Sequence, residues 1–102
     1  MHNSLHVGIL LCIAIICVAP ALAQSPAEAG RDVYAEHCAA CHGERLDATG
    51  AAPDLKQLGA DQKPHFDEIV HNGKGQMPPW EGTISDDEIG RVWAYIRSRA
   101  EK

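Results

Sequence analysis

Two cysteines and a histidine, Cys38-Ala39-Ala40-Cys41-His42, hold the densest chemistry in this 102-residue sequence. Their order and spacing match the attachment pattern of c-type haem. Each thiol can form a thioether to a haem vinyl group, and the imidazole that follows is then placed to bind the iron. Three other chemistries compete for the pattern. A redox-active CxxC dithiol calls for a strand-helix-strand setting. A zinc site needs a fourth ligand, and no second CxxC or paired-histidine motif follows. A plain disulfide between Cys38 and Cys41 leaves His42 without a purpose. Only the haem reading uses all three residues without calling for a further ligand motif or a different fold setting.

An iron bound by His42 has a second axial position to fill, and Met77 is the candidate. It is the one methionine besides Met1, and it lies in Gly73–Gly82, a stretch rich in glycine and proline that could hold a thioether at the metal. A His/Met pair suits an electron carrier, because the soft sulfur favours ferrous iron and raises the potential. The alternative is that Met77 only fills a gap in the core. The sixth position is then open, and the chain is a haem enzyme or gas sensor. His37, His65 and His71 are given no role.

Helices must position these residues, since strand signals are nearly absent. Ser25-Pro26-Ala27-Glu28 supplies an N-cap, a proline at the first helical position and a capping-box glutamate. The spacing predicts a helix from there to about Cys41, with Gly30, Val33, Tyr34, His37, Cys38 and Cys41 along one face. Glu44 to Lys63 reads as a loop with one short turn after Pro53. Pro64 to His71 reads as a short middle helix, with Phe66, Ile69 and Val70 inward and Asn72-Gly73 as its left-handed cap. Met77-Pro78-Pro79 cannot continue a helix. A last helix starts at the Ser85–Glu88 capping box, carries Ile89, Val92, Trp93 and Ile96 as its apolar stripe, and ends near Arg97 and Arg99. The fold class is all-α, with three to four short helices.

Residues 1–23 read as a secretory signal. An apolar run from Val7 to Val18 is followed by Pro20 and by Ala21-Leu22-Ala23, a small-x-small site expected to be cut after Ala23. The run is short of the roughly 20 residues a membrane-spanning helix needs. Met1 to His6 departs from the usual pattern in having no lysine or arginine. Residues 24–102 form one domain, exported to the periplasm or its equivalent, with no membrane span once the signal is removed. All 9 basic and 14 acidic residues lie in that domain, so its net charge is −5. Nucleic acid is thereby an unsuitable partner. Domains of this size are marginal without a metal, disulfide or cofactor to complete the core.

From Ala27 to Arg99 the chain resembles the class I c-type cytochromes. Gly30 and Tyr34, eight and four residues before Cys38, match the glycine and aromatic at which that family's first helix crosses its last. Ala94-Tyr95-Ile96 resembles the family's signature on the last helix, with Trp93 adding bulk. The resemblance implies a cytochrome c-like fold around one covalent haem c held by Cys38 and Cys41, with His42 and Met77 as axial ligands. It also implies that Pro53, in Ala52-Pro53-Asp54-Leu55, accepts the imidazole N–H of His42 through its carbonyl, and that Leu55 packs on the haem. Gln76-Met77-Pro78-Pro79-Trp80 resembles the methionine loop of bacterial members, including cytochrome domains that serve quinone-cofactor dehydrogenases. The expected function is one-electron transfer between redox proteins, from a dehydrogenase or respiratory complex to an acceptor such as a terminal oxidase, with no bond-making step. A net negative charge favours partners with a basic docking patch.

Overall fold

The structure is a computed structural model that describes residues 8–16 and 24–100. Among the described residues four helices follow one another, α1 (Pro26–His37), α2 (Ala39–His42), α3 (Lys63–Asn72) and α4 (Asp86–Ser98), with 3-10 turns at Glu44–Leu46, Leu55–Gln57 and Ala60–Gln62. Among the described residues there is no strand, only an isolated bridge between Lys74 and Met77. The all-α expectation holds. Residues 8–16 of the expected signal form no regular element and are exposed, while the expected cleavage site lies outside the described residues. Among the described residues no helix is long and apolar enough to cross a membrane.

The helix starts follow their caps, although the two capping boxes differ. At α4 both halves form: Ser85 Oγ accepts from the Glu88 N–H at 3.1 Å, and the Glu88 carboxylate accepts from the Ser85 N–H at 3.2 Å. At α1, Ser25 Oγ accepts from the Glu28 N–H at 3.2 Å, but Glu28 makes no return bond among the described residues. The long first helix expected to reach Cys41 is instead two pieces. It breaks at Cys38, whose φ is stretched to −113° although the residue stays in the right-handed helical region, and resumes as α2. The buried Tyr34 hydroxyl donates to the Gly43 carbonyl at 2.7 Å. That bond anchors the end of the second piece to the body of the first, so Cys41 and His42 sit on a short turn of their own.

The core forms where α1 crosses α4. A Cβ on Gly30 would stand 1.8 Å from the Arg91 carbonyl oxygen, so only glycine allows the two backbones this close. Around the crossing the tilted rings of Tyr34 and Tyr95 meet with centroids 5.4 Å apart, and Ile96 is 0% exposed. Phe66 meets Trp93 at 5.0 Å and joins α3 to α4. Gly30→Ala forces the helices apart, and overpacking of this kind in a helix crossing costs about 3 kcal/mol. Chemical denaturation measures it, as a lower midpoint at unchanged slope.

The loop between α2 and α3 is more ordered than its sequence suggests. The turn expected after Pro53 is present at Leu55–Gln57, with the Asp54 carboxylate accepting from the Lys56 N–H at 3.0 Å. A second turn places Arg45 and Leu46 at φ 56° and 65°, in the left-handed region that disfavours such residues. The offset comes from burial, since Leu46 is 1% exposed. The guanidinium groups of α4 secure the same loop: Arg97 donates to the Leu58 carbonyl at 2.6 Å and Arg99 to that of Arg45 at 3.1 Å.

His71 ties the end of α3 to the start of α4. Its Nδ1 lies 2.6 Å from the Asp67 carbonyl and its Nε2 lies 2.7 Å from the Asp86 carboxylate. Both partners only accept, so both nitrogens donate together only in the imidazolium form. The Asp86 hydrogen bond, with help from the Asp67 carbonyl, accordingly raises the His71 pKa above its ordinary value. The stabilisation from this link is complete below the unfolded pKa of about 6.5 and is lost as pH rises through the higher folded value. In an NMR titration, Asp86→Asn should bring the His71 midpoint back down.

Candidate haem site

Cys38 and Cys41 flank the first turn of α2, one half-buried and the other exposed. They are not joined in a disulfide. Burial, reinforced by neighbouring Cys41, pushes the Cys38 thiol up to about 11. Before attachment it is therefore a protonated thiol at neutral pH. No group of three or more His, Cys, Asp or Glu side chains converges as a metal cage among the described residues. The zinc reading thus gains no further protein ligand there. The strand-helix-strand setting of a redox dithiol is likewise not formed among those residues.

His42 closes α2 and is half-buried. Its Nδ1 lies 3.1 Å from the Pro53 carbonyl oxygen. A carbonyl can only accept, so Nδ1 carries the proton and Nε2 keeps its lone pair. This is the arrangement that orients a metal-binding imidazole and strengthens it as a ligand. Pro53 leads directly into the Asp54-capped turn, which brings half-buried Leu55 against the core.

Met77 is presented by a tight turn. The Lys74 N–H donates to the Met77 carbonyl at 3.1 Å, and the Met77 N–H donates to the Lys74 carbonyl at 3.0 Å. Gly73 makes the turn possible, with φ at +75° and its missing Cβ leaving room for the Met77 carbonyl oxygen, which a Cβ would meet at 2.6 Å. Beyond the prolines, the Trp80 N–H donates to the Val70 carbonyl at 2.9 Å, fastening the loop to α3.

These pieces border one cavity of about 420 Å³. Cys38, Cys41, His42, Pro53, Leu55 and Met77 all line it, together with an apolar wall that includes Leu58, Phe66, Ile69, Val70, Ile84, Ile89, Val92 and Ile96. Its volume falls within the roughly 300–1,000 Å³ of cofactor sites. Two thiols, an oriented imidazole, a thioether and an apolar lining drawn from both α3 and α4 fit a haem. His37, His65 and Trp80 also line the cavity, whereas His71 does not.

Comparison with known proteins agrees with this geometry. A family model described as "Cytochrome C oxidase, cbb3-type, subunit III" matches residues 25–96. The chain belongs to the c-type cytochromes that this model describes, as a small monohaem class I member. Among curated relatives it is similar to cytochrome c6 of Leptolyngbya boryana, at 41% identity over 74% of this chain and 95% of the relative. Among solved structures it resembles cytochrome c6 of the diatom Phaeodactylum tricornutum, with a TM-score of 0.58 and 30% identity over 72% of this chain and 93% of that one. It also resembles quinohemoprotein alcohol dehydrogenase ADHIIG of Pseudomonas putida, with a TM-score of 0.68 and 28% identity over 79% of this chain but only 12% of that much longer one. Membership implies haem c, covalently attached through Cys38 and Cys41, and electron transfer as its chemistry.

Proposed function

We propose that the chain is an exported one-electron carrier in which His42 and Met77 are the axial ligands of the haem iron. The observation that carries this reading is the shared cavity: the one methionine outside the leader lines the same apolar space as the cysteines and the Pro53-oriented imidazole. When bound, haem c supplies an iron centre that cycles between ferric and ferrous states. The protein's part is to hold both ligands in place through that cycle. The Pro53 carbonyl fixes the His42 tautomer, the Gly73 turn fixes Met77, and Leu55 with the apolar wall excludes water. A mostly apolar cavity with a thioether ligand favours the ferrous state and raises the potential.

Substrate chemistry is not part of this reading, and the partners are redox proteins. Likeness to a cytochrome-bearing quinohemoprotein dehydrogenase supports a quinone-cofactor dehydrogenase as donor. The match to the cbb3-type oxidase subunit model supports a terminal oxidase of a respiratory chain as acceptor. Residues 1–23 act as the export signal, removed after Ala23. Intact-mass spectrometry of protein secreted by a host with haem-attachment machinery tests these points together. The expected species runs from Gln24 to Lys102 and is heavier by one haem. A retained leader removes cleavage after Ala23, and a haem-free mass removes the carrier itself.

A further inference from the structure

The loop that carries Met77 is hydrogen-bonded to α3, through Trp80 to Val70 and through the Glu81 N–H to the His71 carbonyl at 3.4 Å. Cys38, however, caps the end of α1, and Cys41 follows on α2. Between these two parts lies an aromatic contact. The Trp80 ring meets the His37 ring edge-on, with centroids 5.3 Å apart and planes at 62°. His37 is the residue directly before Cys38, and Trp80 follows Met77 by three positions. Both rings border the cavity.

We propose that His37 and Trp80 form a clasp that holds the methionine loop closed against the attachment helix. They act as positioning residues for Met77. The inference rests on Met77 being an axial ligand. Pro78 and Pro79 stiffen the two residues between Met77 and Trp80, so a displacement of the Trp80 ring is passed to the sulfur rather than absorbed by the chain. The backbone bonds to α3 set where the loop starts and ends. The ring pair sets its distance from the end of α1, and so keeps the sulfur at the iron.

Loss of an aromatic pair of ordinary strength raises the population of an open loop roughly three- to tenfold. Carbon monoxide reports that population, because it binds ferrous iron only when the methionine has left. In the haem-bearing protein, His37→Ala and Trp80→Ala should each speed carbon monoxide binding by roughly this factor, and the double variant should be little faster than either single one. His37→Phe and Trp80→Phe keep a ring at the contact and should stay near the parent rate. Should Trp80→Ala fail to accumulate, the two His37 variants decide the matter alone. Unchanged rates in the alanine variants, with a parent protein that resists carbon monoxide, overturn the clasp and leave Met77 ligation standing. Rapid binding by the parent itself overturns the ligation reading and the clasp with it.

Discussion

Met77→Ala is expected to convert a closed haem site into an open one. The ferrous variant should bind carbon monoxide at once, where the parent resists it, and its reduction potential should fall by on the order of 0.1 V or more, within the ~0.8 V span that axial ligation sets. Two effects act in the same direction. The soft sulfur that favours ferrous iron is lost, and water gains access to a cavity otherwise walled by apolar side chains. The fold should survive, because Met77 is only half-buried and its turn is held by backbone bonds and by Gly73 rather than by its side chain. Absorption spectra with and without carbon monoxide, together with a redox titration, read both changes. A variant with the parent's potential and no carbon monoxide shift removes Met77 from the iron.

Replacing both cysteines, as Cys38→Ser with Cys41→Ser, should have a larger effect still, because it removes the covalent tether and much of the domain's stability together. A domain of this size buries roughly 60–65% of its unfolded surface and sits near the limit of what one core can stabilise. The apolar wall of the cavity, including Phe66, Val70, Ile89, Val92 and Ile96, borders the space that a haem would fill. Without the haem those side chains lose their largest neighbour. The double variant should contain no haem resistant to denaturing extraction, and its helical circular dichroism should melt far below that of the parent. Extractable haem in a domain of unchanged stability would contradict the account. The single variants should retain one thioether and fall between.

Local chemistry made most of this legible from sequence. Cys38, Cys41 and His42 form a contiguous motif, and Ser25 and Ser85 announce two helices through side chains that cap them. Gly30 is legible for a similar reason, since a glycine on an apolar helix face has one main use, close approach to a neighbour. What the sequence concealed depends on tertiary contact. The break at Cys38 follows from Tyr34 reaching Gly43, nine residues away, a bond that no helical periodicity encodes. Leu46 reads as a loop residue yet is 1% exposed, held in a left-handed conformation that propensity argues against. His37 and Trp80 belong to separate elements and become meaningful only when their rings meet. Two of the three 3-10 turns, Glu44–Leu46 and Ala60–Gln62, were hidden because each is too short to show a period, whereas Pro53 marked the one at Leu55–Gln57.

The most direct test of the central claim is the absorption spectrum of the protein made in a host with haem-attachment machinery, recorded oxidised, reduced, and reduced under carbon monoxide. A covalent c-type spectrum that carbon monoxide leaves unchanged is the predicted result, and it fits an electron carrier closed by His42 and Met77. A carbon monoxide shift in the parent protein would contradict that closure and favour a haem enzyme or gas sensor, and absence of covalent haem would contradict the attachment at Cys38 and Cys41.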